Sequence, residues 1–195
     1  LCIQLYRMAR WRPNKVPWIL VTAWTNAAVT NLNKAAANSG FLDDVITVYL
    51  CTRKEEENDL RTDCHFTLCL TSKSPHWETI LESTRPVILF STTSKLGVQP
   101  TRHWSTINSI TGRIVAIFSE EMTQTLRPPM ISLLRYQSAY RENATSRFFF
   151  GDPRQLPAFA HLAWNMFSCM RTALVAVKPI ILSRQYRQVP VLGDI

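Results

Sequence analysis

Short apolar runs, each followed by polar or turn-forming residues, recur along the chain. The run Phe148–Phe150 is too short for an amphipathic helix and ends at Gly151, Asp152 and Pro153, so it predicts a buried central strand that closes in a tight turn. Phe66–Leu70 fits either a short strand or a helix. Other apolar runs predict further strands: Ile19–Ala23 in a run that starts at Val16, Val45–Cys51, Val87–Phe90 after Pro86, Ile114–Phe118, and Pro179–Leu182.

Segments with a helical pattern separate these strands. Thr25 and Asn26 supply capping residues for a helix that carries apolar residues between Ala27 and Ala36 and stops at Ser39–Gly40. Because strands alternate with helices, the sequence predicts an α/β fold with a mostly parallel sheet and helices on both faces. The other helical patterns cover Leu1–Trp11, Pro75–Ser83, Thr123–Tyr140 and Phe159–Thr172.

Polar side chains collect where the predicted strands end. In open α/β sheets, ligands bind at the carboxyl ends of the strands, because the loops that leave those ends line a crevice. We therefore expect Thr25, Thr93, Glu121 and Gln155 to lie together at one edge of the sheet. The strand ends carry Thr25 and Asn26, Ser91 to Lys95, Glu120 and Glu121, and Asp152, Arg154 and Gln155.

Composition narrows the class of protein. A chain of 195 residues can form one domain with a real core, and its net charge of +8 favours partners rich in phosphate. The five cysteines are odd in number and form no C-x-x-C pair, which argues against a disulfide framework and favours a reducing compartment. No apolar run is long enough to span a bilayer and no leader is visible. We expect an intracellular protein, cytoplasmic or nuclear, that has no membrane partner.

Five sequence blocks resemble the motifs of superfamily 1 helicases, in the group that contains the nonsense-mediated-decay RNA helicases. The block GDPRQLP is nearly identical to motif III, and it stands in order and approximate register with the other four. Those four are VTAWTNAAVTNL at 21–32, similar to V-x-A-P-S/T-N-x-A-V-D-x-L; FSTTSKLG at 90–97, similar to T-C-x-G-A-G; EEMTQ at 120–124 with Pro128 downstream, similar to D-E-A-x-Q; and QYRQVP at 185–190, similar to Q-Y-R-M-H-P.

The resemblance implies a RecA-like fold of the P-loop NTPase type. It implies a nucleic-acid helicase that uses ATP and Mg²⁺ to move along single-stranded RNA or DNA. In that family two motor domains act together, so residues 1–195 would be part of the first motor domain and a second motor domain would be its partner in the full-length protein. The resemblance does not decide between RNA and DNA, and it gives neither polarity nor pathway.

The family's site residues carry over onto particular positions. By this carry-over, Glu120 holds the metal, Glu121 activates the attacking water, Gln155 senses the γ-phosphate and Arg187 contacts it. From the residues alone, Glu120 and Glu121 also fit a solvated acidic pair, and Tyr186 fits either a base-stacking or a core position. The implied nucleotide-binding residues are Gln124, Asp152, Gln185 and Tyr186; the implied nucleic-acid-binding residues are Thr25, Asn26 and Thr93.

Departures from the family pattern favour a second hypothesis. The chain contains no G-x-x-x-x-G-K-S/T, the loop that cradles the β- and γ-phosphates, so Leu1 is expected to lie in the helix that follows that loop. Glu120 is one methylene longer than the usual Asp, and a shifted register would place Ser119 there instead. The alternative is a degenerate module that binds nucleic acid or protein without hydrolysis. Other replacements are Trp24, Thr30, Thr93, Met122, Ala158 and Gln188-Val189.

Overall fold

The computed structural model describes residue 16 and the ranges 18–38, 45–51, 67–71, 74–97, 113–121 and 146–152, together with residue 180. These residues form strands separated by helices in the order that the apolar runs predict. In chain order they are β1 (Trp18–Ala23), α1 (Asn26–Ala37), β2 (Ile46–Cys51), β3 (Thr67–Thr71), α2 (His76–Glu82), β4 (Val87–Thr92), α3 (Thr93–Gly97), β5 (Ile114–Ser119) and β6 (Ser146–Phe149).

The six strands form one sheet in the order β3-β2-β4-β1-β5-β6. Every neighbouring pair is parallel, and β1 lies between β4 and β5. Parallel neighbours require crossover connections, and α1 and α2 each connect two strands of the sheet. The predicted α/β fold with a mostly parallel sheet is therefore confirmed.

Each face of the sheet carries its own apolar core. The core on one face includes Trp18, Leu20 and, from α2, Trp77 and Ile80; we call it the α2-side core. The core on the other face includes Ile19 and Val21 of β1, and Val29 of α1 lies in it; we call it the α1-side core. Successive side chains of a strand point to opposite faces, which explains how β1 contributes to both cores. The expectation of helices on both faces is thus confirmed.

A local irregularity in β5 sets which of its side chains face each core. Trp18 of β1 pairs with Ile114, but Ile19 pairs with Ala116, so Val115 is an extra residue in β5. Because of this bulge, Ile114 and Ile117 both lie in the α2-side core although three positions separate them. Without the extra residue, strict alternation would send them to opposite faces.

A buried polar chain fixes α1 against the sheet. Asn33 is fully buried in α1, and its Oδ1 accepts a hydrogen bond of 2.9 Å from the hydroxyl of Thr67 in β3. The Thr67 hydroxyl also lies 3.2 Å from the hydroxyl of Thr47 in β2. These contacts restrict how α1 can rotate on its face, and α1 carries two of the candidate site residues near its start.

The structure decides one open assignment and extends one predicted strand. In the run Phe66–Leu70, which fitted a strand or a helix, the described residues belong to the strand β3, which pairs with β2 along its length. The strand predicted at Val87–Phe90 continues through Thr92, since Ser91 and Thr92 pair with Thr22 and Ala23 of β1. A short helix, α3, then begins at Thr93, where the sequence predicted only a polar strand end.

The prediction that Phe148–Phe150 forms a buried central strand is wrong in its placement. A strand forms at Ser146–Phe149, but it is the edge strand of the described sheet. Phe148 stacks on Phe118 with ring centroids 4.8 Å apart, while Phe149 and Phe150 are 37% and 43% exposed. An apolar run predicts a strand, but it does not say whether the strand lies in the centre of the sheet or at its edge.

Several predictions fall outside the described residues. These are the helices at Leu1–Trp11, Thr123–Tyr140 and Phe159–Thr172, and the strand at Pro179–Leu182 apart from the exposed residue Ile180. In the part of the chain that the structure describes, no helix is both long enough and apolar enough to cross a bilayer.

Candidate functional site

The carboxyl ends of the parallel strands all meet at one edge of the sheet, and four of the candidate segments lie there. Thr25 follows β1, Thr93 follows β4, Glu120 and Glu121 follow β5, and Asp152 lies just beyond β6. This arrangement follows from the parallel pairing, because all strands of a parallel sheet end on the same side. We call this region the carboxyl edge.

Thr25 is the N-cap residue of α1, and its hydroxyl group takes part in two hydrogen bonds. Its backbone is extended, with φ −104° and ψ 152°, which is the geometry of an N-cap residue. The Thr25 hydroxyl oxygen accepts a hydrogen bond of 3.2 Å from the backbone N–H of Ala28. The same hydroxyl donates to Oε2 of Glu121 at 3.3 Å. One side chain therefore connects the start of α1 with the segment that follows β5.

Glu121 has an unusual backbone conformation. The N–H of Glu120 still bonds to the carbonyl of Thr22 at 2.8 Å, so the β5 ladder extends one residue beyond the strand. At Glu121 the chain then turns sharply, with φ 55°, in the left-handed region. Glutamate has no intrinsic preference for this region, and such conformations collect at functional sites where the surrounding structure holds them.

A second cluster lies beside the start of α1, on the α1 side of the sheet. The hydroxyl of Tyr49 in β2 donates to Oδ1 of Asn26 at 3.5 Å. The ammonium group of Lys95 in α3 lies 5.3 Å from the centre of the Tyr49 ring, in a cation–π contact. The first turn of α1 contains no acidic residue. Lys95 therefore adds positive charge near the positive end of the α1 dipole.

Thr93 does not occupy the surface position that a nucleic-acid contact requires. Its side chain is fully buried, and its hydroxyl donates to the carbonyl of Ala23 at 3.1 Å. The hydroxyl also lies 3.3 Å from that of Thr22. These contacts attach the first residue of α3 to β1, so Thr93 supports the carboxyl edge from inside.

Three buried hydroxyl side chains lie side by side beneath the carboxyl edge. Thr22 pairs with Ser91 of β4 on one side and with Ser119 of β5 on the other. All three are fully buried. The shifted register, in which Ser119 would be the metal ligand, conflicts with this burial. Glu120, by contrast, follows the strand directly and is only partly buried, so its side chain can be reached from the carboxyl edge.

The oxygen donors at the carboxyl edge fit Mg²⁺ better than a softer metal. The described residues contain no group of three or more His, Cys, Asp or Glu side chains that could hold a metal ion together. Mg²⁺ is commonly bound through one or two carboxylates, with water and substrate phosphates completing its six ligands. A single carboxylate such as Glu120 is therefore a fitting protein ligand for Mg²⁺ in a nucleotide complex.

Some candidate residues lie outside the described part of the chain, and the sequence reasoning missed others. The positions and contacts of Gln124, Gln155, Gln185, Tyr186 and Arg187 are not among those described. The sequence analysis placed Lys95 among the polar residues at a strand end but gave it no role, although it stands where the resembling motif has glycine. It did not single out Tyr49, which lies within an ordinary apolar run and gave no signal.

Comparisons with known proteins give the following likenesses. No protein-family model matches the chain, and no curated protein matches it. Among solved structures, the chain is similar to a nuclease-deletion mutant of the Type ISP restriction-modification enzyme LlaGI in complex with a DNA substrate mimic. The sequence identity is 11% and the TM-score is 0.47, and the match covers 84% of this chain and 16% of that one. It is also similar to the Pif1 helicase from Bacteroides in complex with ADP-AlF3 and ssDNA, at 10% identity and a TM-score of 0.31, over 89% of this chain and 35% of that one.

Proposed function

We propose that residues 1–195 are part of the first motor domain of an ATP-dependent helicase that acts on single-stranded RNA or DNA inside the cell. The observation that carries the proposal is the hydrogen bond between Thr25 and Glu121, which lie 96 residues apart in sequence. The helicase-like motifs assign one of these residues to the nucleic-acid site and the other to ATP hydrolysis. Their contact supports a motor in which the two sites adjoin.

The nucleic-acid side of this proposal consists of the start of α1 and its neighbours. Backbone N–H groups at a helix N-terminus favour anions, and Thr25 and Asn26 are exposed there. Lys95 adds a positive charge beside Asn26 through its contact with Tyr49. These groups would bind the phosphates of a single strand and make sequence-independent contacts, in keeping with the net charge of +8.

The hydrolytic side consists of the two glutamates that follow β5. When bound, ATP and Mg²⁺ supply the phosphoryl group and the positive charge that stabilises its transfer. Glu120 would hold the metal, and Glu121 would orient the attacking water from its position beside Thr25. In the same proposal, Gln155 and Arg187 contact the γ-phosphate, and Gln124, Asp152, Gln185 and Tyr186 contact the nucleotide. A second motor domain would complete the site.

Binding of labelled single strands tests the nucleic-acid side. Fluorescence anisotropy would be measured with RNA and DNA oligonucleotides of one sequence, over a range of salt concentrations. We expect binding that weakens steeply as salt rises, because each phosphate contact releases bound counterions. Lys95→Gln should weaken binding to every sequence and lower the salt slope by about one.

Lys34→Gln is the matched control for Lys95→Gln. Lys34 lies in the last turn of α1, at the opposite end from Thr25, and its replacement changes the net charge by the same amount. We expect Lys34→Gln to bind like the unaltered protein. Equal losses in the two variants would mean that only overall charge matters, and the assignment of the α1 start as the nucleic-acid site would then be wrong.

The departure at Glu120 favours a second candidate function, a module that binds nucleic acid without hydrolysing ATP. The longer side chain of Glu120 places its carboxylate differently from the Asp of the resembling motif, and Mg²⁺ tolerates little deviation from octahedral geometry. Both candidates predict binding of a single strand at the carboxyl edge. They differ in whether ATP is hydrolysed. ATPase measurements on a protein that also carries a phosphate loop would decide between them.

A further inference from the structure

The hydroxyl group of Thr25 has only one proton to donate. In the structure this proton goes to Oε2 of Glu121, while the hydroxyl oxygen accepts from the N–H of Ala28. A phosphate of a bound strand has no proton to donate, so it can only accept a hydrogen bond from this hydroxyl. For that, the Thr25 hydroxyl must stop donating to Glu121. The two acceptors therefore compete for one donor.

We propose that Thr25 is a positioning residue for Glu121 and that strand binding switches it. In the free protein, Thr25 holds the Glu121 carboxylate against the start of α1. When a nucleic-acid phosphate binds there, the Thr25 hydroxyl turns to the phosphate and Glu121 loses its contact with Thr25. This inference rests on the proposed function and adds to it a direct link between strand binding and the hydrolytic carboxylate.

Charge adds to the competition between the two acceptors. The Glu121 carboxylate lies 3.3 Å from the Thr25 hydroxyl, so a phosphate that approached this hydroxyl would meet a like charge at close range. Glu121 is only partly buried, and Thr25 is exposed, so both can be reached by a strand. Coupling between two sites is reciprocal, and therefore Glu121 must weaken strand binding as much as the strand weakens the Glu121–Thr25 contact.

The backbone conformation of Glu121 depends on the contacts around it. A glutamate at φ 55° is held in a sparsely populated region by its surroundings, of which the Thr25 contact is one part. When that contact breaks, the segment after β5 loses one of the constraints that keep it in this conformation. A small change at the start of α1 can therefore reach the carboxylate without rearrangement of the sheet.

The test is the affinity of Glu121→Gln for a labelled single-stranded oligonucleotide. This variant removes the competing charge and leaves a weaker acceptor, so we expect it to bind about 5-fold or more tightly than the unaltered chain, the lower end of typical coupling between sites. Glu82→Gln is the control, because Glu82 lies in α2, on the other face of the sheet, and carries the same charge. We expect its affinity to be unchanged.

Variants of Thr25 separate competition for the hydroxyl from simple charge repulsion. Thr25→Gly removes the hydroxyl, yet glycine is nearly as good an N-cap as threonine, so α1 should keep its stability. In the Thr25→Gly background, the gain from Glu121→Gln should largely disappear. In the Thr25→Ser background, where the hydroxyl is retained, the full gain should return. Thermal unfolding of each variant would check that α1 is intact.

The possible outcomes are distinct. If the unaltered chain binds no single strand at low salt, the proposed function fails and this inference fails with it. If the chain binds but Glu121→Gln binds no better than Glu82→Gln, the proposed function stands and the switch is overturned. If the gain persists in the Thr25→Gly background, Glu121 acts by repulsion alone and Thr25 is not the positioning residue.

Discussion

At the scale of single residues, the buried hydroxyl groups beneath the carboxyl edge differ in whether they form a hydrogen bond. Ser91 and Ser119 are both fully buried, and each pairs with Thr22 from opposite sides. The Ser91 hydroxyl donates to the carbonyl of Thr92 at 3.2 Å. The Ser119 hydroxyl has no hydrogen-bond partner among the described residues. A buried hydroxyl without a partner costs free energy because it has lost its bonds to water.

We therefore expect Ser119→Ala to leave the free energy of unfolding unchanged or to raise it by up to about 1–3 kcal/mol, the usual cost of a buried unsatisfied polar group. Ser91→Ala should instead lower it by about 0.5–1.5 kcal/mol, because it removes a hydrogen bond that is made. Urea unfolding of the two variants beside the unaltered chain measures both values. A clear loss in Ser119→Ala would show that its hydroxyl does have a partner in solution.

At the scale of elements, side-chain hydrogen bonds near both ends of α2 hold this helix on the sheet. The N-cap residue Pro75 makes no side-chain cap hydrogen bond. Trp77 donates through Nε1 to the carbonyl of Thr71 at the end of β3, at 2.8 Å. At the other end of α2, the guanidinium of Arg113 donates to the carbonyl of Leu81. Arg113 directly precedes β5, so this bond ties the end of α2 to the strand that leads to Glu120 and Glu121.

Arg113→Met should lower the free energy of unfolding by about 1.5–3 kcal/mol, the range for hydrogen bonds to charged groups. Methionine keeps much of the apolar stem but cannot donate to the helix end. Arg85→Met is the control, since Arg85 is an exposed residue that follows α2, and contacts of exposed charged side chains usually contribute no more than about 1 kcal/mol. Hydrogen exchange at the last amides of α2 should quicken in Arg113→Met alone; equal protection in the two variants would contradict this account.

At the scale of the whole molecule, nucleotide binding depends on groups that these 195 residues do not contain. The sequence has no G-x-x-x-x-G-K-S/T, the loop whose amides and lysine bind the β- and γ-phosphates. Glu120 and Glu121 offer only negative charge to an ATP molecule, which is itself an anion. We therefore expect the carboxyl edge of this chain to bind nucleic-acid phosphates at the start of α1 more readily than a free nucleotide beyond β5.

We expect this chain to bind ATP weakly or not at all and to hydrolyse none detectably. Titration with a fluorescent ATP analogue in the presence of Mg²⁺ should show no saturation in the micromolar range, whereas the labelled single strand should bind under the same conditions. The strand titration is the control for correct folding. Micromolar or tighter affinity for the nucleotide would mean that residues of this chain form a phosphate site that the sequence does not reveal.

Much of the described fold could be predicted from the sequence because it depends on local patterns. Short apolar runs located the strands of the sheet, and their alternation with helical patterns indicated parallel pairing. Thr25 was recognised as a capping residue because an N-cap needs only a short polar side chain before a helix. Parallel pairing then required the polar strand ends to share one edge.

The tertiary structure alone decided the features that depend on distant parts of the chain. The position of β6 at the edge of the described sheet, the burial of Thr93 and the bulge at Val115 all result from which strands and helices become neighbours. The contact between Thr25 and Glu121 joins residues 96 positions apart. The periodicity of a sequence records which side of an element is apolar, and it contains no distance between elements. The sequence therefore determined the elements and their polar ends, and packing through space determined which of those ends touch.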